Sequence, residues 1–332
     1  MKKIVKIIFV TLATIYLFSG CTVKIPIPIS MQDAITSEQK FETIDNATLL
    51  ELALINDFND DNVLEGKLEK LFLLEYQNKD MNAYEFIFNN LKKEIDARNL
   101  PIKLVKNETT NSNLYLNSFK INSQRTNSYT PLITLTKAKL TLEINNENHK
   151  IISIVKRAKV PMWNISEVYK PCYYEPTSIV VQEIVAKLNK AIFNYKLDDN
   201  SVKNLISLAN KQIKDKYNLA YLTVYQLGFS NNILALDFIE EHTKQTYPDY
   251  VRFASISTLG ILGGEKYLDY LISIYNNSSY SWEDKIMALK SIGDINSSEA
   301  NSFLEKTSKF LNERKEDFYI KAQKDTIELY IK

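Results

Sequence analysis

The chain has 332 residues, of which 45% are hydrophobic and 24% charged, with a formal net charge of +1. That length allows two domains and a sizeable buried core. The near-neutral balance excludes the concentrated basic footprint that nucleic-acid binding requires, and seven glycines with eight prolines exclude a fibrous or low-complexity chain. So few turn-formers predict a mostly helical protein, with twenty tyrosines and fifteen phenylalanines as bulky core material.

Lys2, Lys3 and Lys6 precede an apolar run from Ile7 to Phe18, after which come Ser19, Gly20 and Cys21. This is the layout of a secretory signal with a small residue before the cut, and the run is shorter than the ~20 residues of a spanning helix. Phe18-Ser19-Gly20-Cys21 resembles the lipobox of bacterial lipoproteins, with Phe18 where that family usually carries leucine. The resemblance implies cleavage before Cys21, lipidation of Cys21, and a mature protein held on a membrane of the bacterial cell envelope, facing the periplasm or the cell surface. An uncleaved apolar anchor and a plain signal with a coincidental cysteine are the alternatives. Loss of the three lysines in residues 1–20 leaves 38 of the 41 basic residues against 40 acidic ones. Cys172 is then the one remaining thiol. Its apolar neighbours Pro171, Tyr173 and Tyr174 predict a buried, structural cysteine.

Pro26 and Pro28 keep the stretch after Cys21 out of a helix, so residues 21–39 are expected to be an extended, lipidated tether and the ordered chain to start near residue 40. Leu49, Leu50, Leu52, Ala53 and Leu54 predict a short helix; Leu64, Leu68, Leu71, Phe72 and Tyr76 a second; Tyr84, Ile87, Phe88, Leu91 and Ile95 a third. Between the first two, Asp57, Asn59, Asp60 and Asp61 invite a calcium loop. Such a loop needs glycine sixth and glutamate twelfth, where Asn62 and Leu68 stand, so a solvated turn capping a helix at Asn62 is expected instead.

From Leu100 to Val160 the period changes. Ile102–Val105 and Leu114–Ile121 predict strands, and Thr134, Thr136, Ala138, Leu140, Leu142 and Ile144 one face of a longer strand. Asn145–Asn148 turns it back into a partner carrying Ile152, Ile154 and Ala158. The outcome is a small antiparallel sheet with helices on one face. Lys150, Lys156, Arg157 and Lys159 charge the last strand, either to meet anionic lipid headgroups or, the preferred reading, to keep an open edge from pairing with other chains. Trp163 and Tyr169, Tyr173 and Tyr174 are expected to fold back as a core patch in an irregular loop, before a helix marked by Ile184, Val185, Leu188, Ile192 and Tyr195. Within an expected α+β domain of residues 40–196, this order of elements makes residues 84–195, about a third of the chain, loosely resemble the small α+β domain of bacterial envelope lipoproteins that assist lipid or lipopolysaccharide transport, with Tyr84 to Val105 leading into the first strand and Ser178 to Tyr195 closing the domain. The likeness carries no diagnostic residue and is one of fold alone.

Residues 197–332 repeat. Leu227-Gly228, Leu259-Gly260 and Ile292-Gly293 stand 32 and 33 residues apart, and Leu236-Asp237-Phe238-Ile239 overlies Leu268-Asp269-Tyr270-Leu271, with Phe303-Leu304 one unit on. Val251-Arg252-Phe253-Ala254 followed by Leu259-Gly260 looks like the first helix and turn of a HEAT repeat, although Lys285 stands for arginine in the next unit and Ala220 in the one before. That resemblance implies three units and a terminal half unit near Tyr319–Ile331, with helices at 178–195 and 201–214 as a divergent first pair. Each pair would bury its apolar stripe only against the next, as an α-solenoid does.

Glu240-Glu241-His242 does not make a metal helix, because consecutive residues do not share a face and His149 lies on the distant hairpin turn. A solvated helix end is expected there. No phosphate-cradling glycine loop or nucleophile elbow occurs, so neither an enzyme nor a cofactor is expected. The fold class is therefore α+β: a small antiparallel sheet with covering helices, followed by a HEAT-like solenoid. The function expected of it is a non-catalytic scaffold that binds a protein partner on the repeat surface and the membrane through its lipid, but not nucleic acid. An accessory subunit of an envelope lipid or surface-polymer transport assembly is the alternative.

Overall fold

The computed structural model describes residues 25–30, 33–44, 47–58, 62–69, 71–108, 110–127 and 129–331, and the signal, Cys21 and Asn59–Asp61 lie outside them. The fold is mixed α/β. Strands β2 (Leu50–Asn56), β3 (Leu64–Glu65), β6 (Ile102–Lys106), β7 (Asn113–Gln124), β8 (Leu132–Ile144) and β9 (Glu147–Lys159) form the larger sheet in the order β6-β2-β7-β8-β9, with β3 beside β7. Strands β1 (Ile25–Ser30), β4 (Phe72–Tyr76) and β5 (Lys79–Asp80) form a smaller one. The β8–β9 hairpin pairs from Ile144↔Glu147 out to Leu132↔Lys159, as the alternation predicts.

Three expectations fail in this half. The larger sheet is mixed, not antiparallel: β2 runs parallel to both β6 and β7, and β3 parallel to β7. The helix expected at Leu49–Leu54 is β2, whose Leu52, Ala53 and Leu54 are fully buried between parallel neighbours. A strand covered on both faces reads as an unbroken apolar run, and over so few residues that run is indistinguishable from a buried helix. The helix expected from Leu64 to Tyr76 is two strands separated by a turn, with Gly66 at φ +91° and Phe72, Leu74 and Tyr76 alternately buried. No helix therefore starts at Asn62, and Asp57 instead accepts a hydrogen bond from Asn117 Nδ2 at 2.9 Å.

The stretch expected to be a tether is also part of the fold. β1 pairs in parallel with β4, and residues 33–42 are stitched to helices α1 (Ala83–Ala97) and α2 (Glu175–Ile192). Ala34 N–H donates to Asn90, Ser37 N–H to Glu94 Oε2 at 2.8 Å, and Ile35 N–H to Ser178 Oγ at 3.0 Å. α1 starts at Asn82, whose side chain caps the Glu85 N–H, and buries Phe86, Ile87, Leu91 and Ile95 at helical spacing. The two helices cover one face of the sheet: the Phe86 ring lies 5.8 Å from Phe119, and Thr134 Oγ donates to the Cys172 carbonyl. The expected irregular loop before α2 is a 3-10 turn (Ile165–Val168) and a π turn (Tyr169–Tyr174) running straight into it.

Beyond α2 the chain is helical. α3 (Asp199–Lys214) packs on α4 (Ala220–Gly228) rather than pairing with α2. α5 (Leu236–Glu241), α6 (Asp249–Gly263), α7 (Leu268–Asn276), α8 (Trp282–Ile295), α9 (Ser298–Asn312) and α10 (Phe318–Ile331) follow. α4, α6, α8 and α10 pack in succession as an inner row, while α5, α7 and α9 lie outside it. A glycine sets each step of that row. A Cβ on Gly228 would stand 2.3 Å from Thr258 Cβ, on Gly260 2.1 Å from the Ser291 carbonyl oxygen, and on Gly293 2.5 Å from the Tyr330 ring. Real side chains do not approach so closely, so the repeated glycine lets consecutive inner helices touch. The apolar core is continuous from Ala34 to Tyr330.

Candidate functional site

The cations of β9 lead to the most heavily built part of the molecule. Alternation along a strand sends neighbouring side chains to opposite faces. On one face Ser153 Oγ donates to Glu183 at 2.6 Å and Arg157 pairs with Glu175 at 3.2 Å, both acids on α2. On the other, Lys156 pairs with Glu283 of α8 at 3.0 Å and Lys150 donates to the Tyr330 carbonyl of α10 at 2.5 Å. The strand's backbone edge is closed as well: Tyr250 OH binds both N–H and C=O of Ala158, and Lys187 donates to the Ile152 carbonyl. Lys156 and Arg157 therefore neither repel strands nor face headgroups. They are buried beneath helices, with Arg157 between the rings of Tyr221 and Tyr250 at 4.3 and 4.0 Å.

Deeper along the same seam lies a four-charge cluster. Lys187 meets Glu183 at 2.8 Å and Asp294 at 2.6 Å; Lys290 meets Glu183 at 2.6 Å and Asp294 at 2.8 Å. Lys290 also donates to the Ser257 carbonyl, and Tyr330 OH to Asp294 at 2.8 Å. Burial alone would push the Asp294 carboxyl up, but Lys187 and Lys290 together hold it below the ordinary carboxylate value. Burial opposes the charge on Lys290 too, yet Asp294 and Glu183 outweigh it and raise the ammonium well above its usual range. Two acids and two lysines cancel, and each holds hydrogen-bond partners. Chemically this is a fastening between sheet and helices, bordered by a hollow of about 160 Å³ that Lys187, Asp294 and Tyr330 help to line.

The sequence reading did not single out these residues. Their signal was present: Glu183/Lys187 and Lys290/Asp294 are opposite charges four apart among the apolar residues of their helices, and such charges are almost never buried unless paired. A smaller counterpart ties down the amino-terminal segment, where Arg98 pairs with Glu94 at 3.2 Å and donates to the Gln39 carbonyl and to Gln226.

Other candidates resolve as follows. Cys172 is fully buried and burial pushes its thiol up to about 12. Tyr173 is buried with it, but Trp163 is 87% exposed, so that ring does not join the core patch expected of it. Glu240 and Glu241 are solvated, whereas His242 is not: it is buried, stacked on Phe238 at 3.9 Å, with Nδ1 2.7 Å from the Phe238 carbonyl oxygen. Burial pulls its pKa down, so it packs as a neutral ring. Among the described residues no His, Cys, Asp and Glu group could hold a metal ion, and no helix is long and apolar enough to cross a membrane.

Besides a hollow of about 390 Å³ lined by Phe58, Met81 and Tyr84 and one of about 160 Å³ lined by Lys187, Asp294 and Tyr330, three more open along the described residues. The face of the sheet turned away from α1 and α2 carries a groove of about 590 Å³, floored by Lys120, Lys137 and Lys139 and walled by Lys321 and Asp325 of α10. It adjoins another of about 700 Å³ containing Trp282, Phe318 and Tyr319. A smaller hollow of about 270 Å³, with Ile35, Leu208, Tyr217 and Leu222, opens where the amino-terminal segment crosses α2, α3 and α4. No family model and no curated protein matches the chain. Among solved structures it is similar to protein XCC0632 from Xanthomonas campestris, of the family DUF330, with 8% identity and a TM-score of 0.29 over 50% of this chain and 98% of that one, a likeness too slight to place the fold.

Proposed function

We propose that the chain is a lipid-anchored protein of the bacterial cell envelope that works by binding, with residues 197–332 as a HEAT-like stack presenting a protein-interaction surface. The observation that carries this reading is the glycine at each inner-row step, at Gly228, Gly260 and Gly293, which supports a repeated helix-pair unit. β9 and α2 already occupy the inner row through Lys156–Glu283 and Lys187–Asp294, so the surface left for a partner is the outer row and its turns. Ile233, Leu234 and Phe310 are exposed there, and Leu208 and Tyr217 on α3 and the turn after it. Single exposed apolar residues are ordinary, but an adjacent pair such as Ile233 and Leu234 suits a binding surface.

The test is capture from membranes by the full-length chain. Ile233→Glu with Leu234→Glu should abolish recovery of one stoichiometric protein without changing thermal unfolding, and undiminished recovery counts against an outer-row site. Cys21→Ala should lose metabolic fatty-acid label; retained label defeats the anchor. The second reading, an accessory subunit of a lipid or polymer transport assembly, is favoured by the grooves on the open sheet face. Under it, Lys139→Glu and not the outer-row pair should lose the partner.

A further inference from the structure

We infer that Leu71 and the turn Gly66–Glu69 before it rest on the bilayer, so that the molecule stands on the membrane with the amino-terminal ends of β1 and β4 facing down. This rests on the anchor proposed at Cys21. The argument is one of chain length. From Cys21 only four residue steps lead to Ile25, which at full extension span about 14 Å. Residues 25–30 and Asp33 are tied to the fold. β1 pairs with β4 from Ile25↔Phe72 to Ser30↔Tyr76. Asp33 then takes a hydrogen bond from Tyr76 OH at 3.0 Å on its side chain and one from Tyr174 OH at 3.0 Å on its carbonyl, and pairs with Lys93.

Because β1 and β4 are parallel, both leave the anchored end together, and the residues nearest the lipid are those just before Phe72. Adjacent strands lie about 4.8 Å apart, so Leu71 is held within reach of the headgroups, whereas Lys79, opposite Tyr76, is about 13 Å beyond Phe72 along the strand. The turn is compact: Glu69 N–H donates to the Gly66 carbonyl, and Leu71 and Phe72 N–H both donate to that of Leu68. Its exposed side chains suit an interface. Leu71 is 45% exposed with its neighbour Phe72 buried, and Lys67 is exposed in the turn before it. An apolar tip flanked by a cation matches a surface of acyl chains under anionic headgroups.

The experiment uses the acylated full-length chain in vesicles of phosphatidylethanolamine and phosphatidylglycerol. Leu71→Cys and Lys79→Cys each carry an environment-sensitive fluorophore, the buried Cys172 remaining unlabelled. Nitroxide-bearing lipid should quench the probe at position 71 and leave that at 79 unaffected, with aqueous iodide giving the reverse. Equal lipid quenching at both positions, or stronger quenching at 79, overturns the orientation. Intact mass on the same samples separates the two claims: acyl mass with the wrong quenching pattern defeats the orientation alone, and absence of acyl mass defeats the anchor and the orientation with it.

Discussion

Glu183, Lys187, Lys290 and Asp294 have side chains between 0% and 9% exposed, so each charge depends on the others. Removing one partner from such a set leaves an uncompensated buried ion, which typically costs 3–5 kcal/mol. Asp294→Asn should therefore lower unfolding stability by about 3–5 kcal/mol in urea titrations. The pH dependence has a definite sign. A carboxyl whose folded pKa lies below 3.8 contributes stability that is full above that value and lost as pH falls through the lower, folded one. The native chain should lose stability below about pH 3.8, and Asp294→Asn should show a shallower acid limb in thermal melts. Cys172 makes a separate check: with its thiol pushed up to about 12 and no solvent access, it should resist iodoacetamide at neutral pH until the chain unfolds. The burial of Cys172 was legible from its apolar neighbours. The roles of Lys156 and Arg157 were not, because a strand sequence says which residues share a face but not what comes to lie on it.

The helices differ in how far their sequence constrains them. Around α3, Val202, Leu205 and Ala209 are buried and the opposite face is wet, which is the pattern that periodicity detects. α6 is buried nearly all round, so its apolar residues mark depth rather than direction, and only the repeated glycine points to its neighbour. Intrinsic propensity favours Gly→Ala within a helix by up to about 1 kcal/mol. Packing reverses the sign at Gly260, where the new methyl would collide with the Ser291 backbone. Gly260→Ala should accordingly lower stability by about 1–3 kcal/mol, and a rise in melting temperature would refute the close approach. Leu259, fully buried beside it, should lose several kcal/mol as Leu259→Asp, about the cost of an unpaired carboxylate in a core, read by calorimetry. The strands β3 and β4 escaped the same reading for a local reason. Two or three apolar residues satisfy both periods, and the turn residues Gly66, between β3 and β4, and Gln77-Asn78, after β4, bound runs too short to establish either.

Sheet and helical row are separate in sequence but share one interior. Glu283, Asp294, Tyr250 and Tyr330 of the inner row find their partners on β9 or α2. A fragment of residues 197–332 would expose those groups together with the apolar surface around them. It should be insoluble or bind hydrophobic dyes, while the whole chain melts in one transition; a soluble fragment with a sharp melt of its own would show that the row is self-sufficient. The closed side of the sheet has one more effect. Helices deny β9 to any incoming strand, and the opposite rim is β6, five residues long, where Lys103 and Lys106 are engaged with Glu51 and Glu85. Short, charged rims are poor templates for strand addition. Molecules crowded side by side would thus be guarded against fusing into fibrils through this sheet, even at high local concentration.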